Sequence, residues 1–113
     1  MMDMGTLEQE EVHTMLLDTR NRVLSSSMLY RGSLNAASMR LGEIFKEAVR
    51  ANAAAVIVAH NHPSGDPSPS TDDVRVTREL VKAGKLLEID VLDHIIIAHN
   101  LFTSLKERGM GFE

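Results

Sequence analysis

No cysteine and no tryptophan occur in the 113 residues, and aromatic side chains amount to one tyrosine and three phenylalanines. The missing thiols exclude a disulfide framework, a thiolate zinc site and a cysteine nucleophile together. They also argue against a deaminase that holds zinc through Cys-x-x-Cys. No apolar run approaches the roughly 20 residues of a helical membrane span, and there is no signal-peptide pattern, so a cytoplasmic protein is expected. A net charge of -4 provides no basic face for general nucleic-acid binding. The length suits one core and is short for two typical domains, so a single domain over 1–113 is expected. Proline is confined to Pro63, Pro67 and Pro69.

Around that proline cluster the chain is organised as strands and helices. Glu10 to Leu17 and Arg22 to Tyr30 read as strands joined by the turn Asp18-Thr19-Arg20-Asn21, a hairpin. From Asn35 to Asn52 the spacing predicts a helix, with Leu41, Ile44, Phe45, Ala48 and Val49 on one face and Glu43, Lys46, Glu47 and Arg50 on the other. Ala54 to Ala59 carries no charge and reads as a strand buried on both faces. A second helix begins after Ser70 and includes or ends near Gly84. Ile89 to Ala98 is strongly β-prone, and His99-Asn100 turns the chain into a last strand, Leu101 to Leu105. Strands alternating with helices predict an α/β fold, a mixed sheet with a helix on each face.

Chemistry concentrates between strand and helix. If the chain stays extended past Ala59, His60 and His62 point the same way and Asn61 the opposite way, because side chains alternate along a strand. The segment Pro63-Ser64-Gly65-Asp66-Pro67-Ser68-Pro69 is rich in turn residues and returns the chain to Ser70, a good N-cap. Asp73, Val76, Leu80, Ala83 and Leu87 then fall on one core-facing stripe, whereas Asp72, Arg75, Glu79 and Lys82 form the charged one. A carboxylate on a buried stripe has to be paired, protonated or bound to a cation. Two neutral imidazoles, one carboxylate and a water make a four-coordinate site with an exchangeable position, as in catalytic zinc centres. Taken alone, Ser70 and Asp73 also read as a capping box. Open α/β sheets place their sites at the carboxyl ends of strands, where His60, His62 and Asp73 would meet.

The run His60-Asn61-His62-Pro63-Ser64-Gly65-Asp66-Pro67-Ser68-Pro69-Ser70-Thr71-Asp72-Asp73 resembles the JAMM motif, His-x-His, seven residues, Ser-x-x-Asp, in the form found in bacterial RadC-type proteins. The likeness extends to Ala53–Ala59, to Val91-Leu92-Asp93-His94-Ile95-Ile96-Ile97 and to Ser104-Leu105-Lys106-Glu107-Arg108-Gly109. It implies a three-layer α-β-α sandwich of the MPN or cytidine-deaminase-like kind. It also implies that His60, His62 and Asp73 are zinc ligands and that Ser70 supports the water or the tetrahedral intermediate. An upstream glutamate would act as general base. The resemblance places Glu10 there, although alternation does not separate Glu10 from Glu11. Gly42 stands where such chains usually carry an arginine, and the helix-hairpin-helix-like region often found ahead of this domain has no counterpart in the sequence.

The activity implied is zinc-assisted hydrolysis of a peptide or isopeptide bond, with Glu10 and Ser70 catalytic and an unidentified peptide or isopeptide as substrate. Two other classes are a repair or mobile-element factor that binds nucleic acid, and an MPN-type interaction module without catalysis. The latter commonly lacks ligands, and all of them are present here. His94 reads as structural, His99 as a turn residue and His13 as a strand side chain. Imidazole and carboxylate ligands also accept iron, nickel or manganese.

Overall fold

A computed structural model describes residues 4–5, 9–31 and 40–113. Strand β1 (Glu11–Leu17) and strand β2 (Val23–Arg31) form the expected hairpin, antiparallel. Its turn is held by Asp18, whose Oδ1 accepts from the amides of Arg20 at 2.8 Å and Arg22 at 2.9 Å. Helix α1 (Leu41–Arg50) follows. The expected residues 35–39 of that helix lie outside the described residues. The helix stops before Asn52, whose left-handed φ of 54° is one that asparagine tolerates at a helix end. Strand β3 (Ala55–Asn61), helix α2 (Thr71–Leu87), strand β4 (Asp90–Ala98), strand β5 (Leu101–Ser104) and the short helix α3 (Leu105–Arg108) complete the order.

The five strands make one mixed sheet in the order β2-β1-β3-β4-β5, with β3 and β4 parallel and the other neighbours antiparallel. This is the expected α/β fold with a mixed sheet. Its two long helices, expected on opposite faces, share one. β2 and β3 both run against β1, so β2→α1→β3 and β3→α2→β4 are parallel crossovers stepping in the same direction across the sheet. Right-handed crossovers that step the same way put their helices on the same side.

Register fixes which residues that side receives. Val12 lies opposite His60, Thr14 opposite Val58 and Leu16 opposite Val56, while His94 and Ile96 on β4 flank Val58 and His60. Val12, Leu16, Val56 and Val58 form one core with Ile44, Phe45 and Ala48 of α1, Val76 and Leu80 of α2, and Ile89 and Val91. Each fully buried aliphatic side chain of this kind contributes about 1.5–3 kcal/mol. Gly84 lies inside α2, where a Cβ would stand 2.4 Å from the Ile89 carbonyl oxygen. The return from α2 into β4 therefore requires the missing side chain. On the other face Met15, Ile57, Ala59, Ile95 and Ile97 line an open apolar groove with Met4. Among the described residues no helix is long and apolar enough to cross a membrane.

Candidate metal centre

Polar groups converge where β3 ends. The amide of His62 donates to the Ile97 carbonyl at 2.8 Å, so the chain stays extended one step past β3 and both histidines project to the helix-covered face. Asn61, between them, points the other way and is buried. Its Oδ1 accepts from the Glu11 amide at 2.7 Å and its Nδ2 donates to the Gln9 carbonyl at 3.0 Å. That clamp fixes the backbone on both sides of Glu10.

The proline-rich loop is pinned at several points. His62 Nδ1 donates to the Asp66 carbonyl at 2.9 Å, and Asp66 Oδ1 accepts from the Ser68 amide at 2.9 Å. Gly65 has φ +90°, and a Cβ there would lie 2.4 Å from His99 Cδ2, so the loop packs directly on the His99 ring. His99 itself occupies the β4–β5 turn with φ 53°, where the sequence places it.

At the start of α2 a complete capping box forms. Ser70 Oγ accepts from the Asp73 amide at 3.0 Å, and the Ser70 amide donates to Asp73 Oδ2 at 2.8 Å. Asp73 is 2% exposed, and its carboxylate is thereby held toward the two histidines. His60 Nε2 lies 3.1 Å from Asp73 Oδ1, His62 Nε2 lies 3.2 Å from Asp73 Oδ2, and the two Nε2 atoms are 3.1 Å apart. Zinc–ligand bonds of about 2.0–2.1 Å in a tetrahedron place neighbouring ligand atoms about 3.3 Å apart. The two ring nitrogens and the two carboxylate oxygens they face gather at spacings close to that edge.

Glu10 stands at the same place. Its carboxylate lies within 4.8 Å of the ring nitrogens of His60 and His62, and this His/Glu cluster could hold a metal ion. Glu11 faces away. Its carboxylate pairs with His13 Nε2 at 2.9 Å and Arg31 Nε at 3.2 Å, and the hydrogen bond from His13 is the main reason it is held below the usual carboxylate range.

The neighbouring histidines stabilise the Asp73 carboxylate. Burial pushes the Asp73 carboxyl up, but hydrogen bonds from His60 and His62 outweigh it and hold the group far below the ordinary range. His62 is raised, chiefly by its hydrogen bond to Asp73. Behind His60 lies a buried polar pair outside the motif: His94 Nε2 is 2.7 Å from His60 Nδ1, and His94 Nδ1 contacts Thr77 Oγ1, which donates to the Asp73 carbonyl at 2.7 Å. Burial, with the neighbouring His60 adding to it, pushes His94 down to about 3. Asn61, Thr77 and His94 are contributors that sequence reasoning did not assign to the site. The one available signal was parity, since His94 falls on the strand face that carries His60.

The chain matches the model of the RadC-like JAB domain over residues 1–110. It is similar to the UPF0758 protein of Chloroflexus aurantiacus, with 57% identity over 113 residues, covering 100% of this chain and 49% of that protein. Identity is 58% over 113 residues with the UPF0758 protein of Chloroflexus aggregans, of which 49% is covered. With the UPF0758 protein of Roseiflexus castenholzii it is 54% over 110 residues, 97% of this chain and 47% of that one. The chain thus spans about half the length of these curated relatives. From motif, fold and similarity together, it belongs to the RadC family of JAB-like domains.

Proposed function

We propose that this chain is a JAMM-type zinc hydrolase that cleaves a peptide or isopeptide bond. The observation that carries the reading is the convergence of His60 Nε2 and His62 Nε2, 3.1 Å apart, on the Asp73 carboxylate, the first 3.1 Å from Oδ1 and the second 3.2 Å from Oδ2. Those spacings and the N,N,O donor set fit zinc with one position left for water. Zinc in such a site supplies a Lewis acid that lowers the pKa of its water to about 7 and polarises a carbonyl.

The protein's own groups divide the remaining work. His60, His62 and Asp73 hold the ion. Glu10 takes the proton of the attacking water and returns it to the departing amine, the double duty of a general acid–base residue. Its carboxylate lies within 4.8 Å of the His60 and His62 ring nitrogens, which supports the role because a proton acceptor has to stand beside the water position. Ser70 orients Asp73 through its backbone amide. Its hydroxyl oxygen serves the α2 cap while its hydroxyl proton remains to be donated to a developing oxyanion. The substrate is a peptide or isopeptide chain, and the site of action is the cytoplasm.

A peptide and isopeptide library offered to the zinc-loaded chain tests this reading. Cleavage that disappears on chelation and returns with zinc supports it. No cleavage by a chain carrying one zinc at this site would remove the hydrolase assignment.

A further inference from the structure

The buried groups behind His60 form a hydrogen-bond chain whose direction follows from where protons can sit. Thr77 Oγ1 donates to the Asp73 carbonyl, an acceptor with no proton to offer. The same oxygen contacts His94 Nδ1, and with its only hydrogen directed at Asp73 it accepts there. The proton between them belongs to His94 Nδ1. His94 is fully buried, and its ring nitrogens face a hydroxyl and another imidazole, with no carboxylate among the described residues bonded to either. A ring so placed carries a single proton. Its Nε2 is then a lone pair, and His60 Nδ1, 2.7 Å away, is the donor.

We infer that Thr77 and His94 are positioning residues that keep a proton on His60 Nδ1, so that when a metal replaces the hydrogen bond to Asp73 it is Nε2 that gives up its proton and presents its lone pair. The inference rests on the proposed metal site. His62 reaches the same state through one contact, since its Nδ1 donates to the Asp66 carbonyl. The usual outer partner of a ligating histidine is a carboxylate, a carbonyl or a water. At His60 an imidazole takes that place, and an imidazole accepts there only in one of its two tautomers. Thr77 selects it. Reversing the chain would put a proton on His94 Nε2, make His60 Nδ1 the acceptor and leave the His60 proton on Nε2, where it blocks the ligand.

The experiment titrates zinc alone into the parent chain and into Thr77→Val and Thr77→Ser, with a chromophoric chelator as competitor. Valine preserves shape and removes the hydroxyl, so zinc affinity should fall roughly 10–100-fold, as for other losses of an outer partner, while serine should restore most of it. Thr77→Val binding zinc as tightly as the parent would overturn the inference. Nitrogen-15 NMR of the zinc-loaded parent reads the same point without relying on a variant's folding. His94 should carry its proton on Nδ1 and His60 on Nδ1, and a proton on His94 Nε2 overturns the relay. A parent that binds no zinc removes the metal reading and this inference together, whereas zinc binding with the reversed tautomer removes the relay alone.

Discussion

Glu10→Gln is the most informative single change, because it removes a proton acceptor and almost no volume. The carboxylate of Glu10 lies within 4.8 Å of the His60 and His62 nitrogens, and the proposed ligands are those nitrogens and Asp73, which lies 3.1 and 3.2 Å from them. Three ligand atoms therefore survive the substitution, and zinc should stay bound at unchanged stoichiometry. General acid–base catalysis contributes about 10²–10⁴ in rate. At about 1.36 kcal/mol per tenfold, the loss corresponds to a barrier higher by roughly 2.7–5.5 kcal/mol. The assay is initial cleavage rate on the best peptide or isopeptide from the library screen, with metal content measured on the same samples. Glu11→Gln is the control, because Glu11 is engaged by His13 and Arg31 away from the metal position. Full turnover by zinc-loaded Glu10→Gln would refute the assignment, as would equal losses in both variants.

Other expectations follow from the same geometry. Zinc at 100 times its dissociation constant should stabilise the folded chain by about 2.7 kcal/mol, visible as a rise in thermal midpoint, and His62→Ala should abolish that rise. Glu11 is held below its ordinary value of 4.5, so its contribution to stability is present above that pH and is lost as pH falls through the lower folded value. Acid-unfolding curves of the parent should show this slope, and Glu11→Gln should flatten it. Gly84→Ala places a methyl 2.4 Å from the Ile89 carbonyl oxygen, and urea unfolding should register a loss of about 1–3 kcal/mol from overpacking.

Much of this architecture was readable because local signals agreed with one another. The charge-free run before His60 and the stripe through Asp73, Val76 and Leu80 locate β3 and α2 and turn the acidic side chain inward. Helix placement was less accessible, since it depends on strand order. Until β1 is known to lie between β2 and β3, nothing says that both crossovers step in the same direction. The choice between Glu10 and Glu11 had the same cause. Alternation assigns them to opposite faces without saying which face carries the histidines, and the pairing of Val12 with His60 supplies that. Thr77 and His94, far apart in sequence, needed the parallel β3–β4 pairing and the phase of α2 to meet. The capping-box reading of Ser70 with Asp73 was legible from their spacing, and that box forms.

X-ray absorption at the zinc edge of the loaded chain, compared with Asp73→Ala, tests the metal centre most directly. The account predicts one zinc per chain with only nitrogen and oxygen neighbours at about 2.0–2.1 Å, two of them imidazole, and loss of that shell in the variant. A parent that takes up no zinc, or a shell unchanged without Asp73, would contradict it.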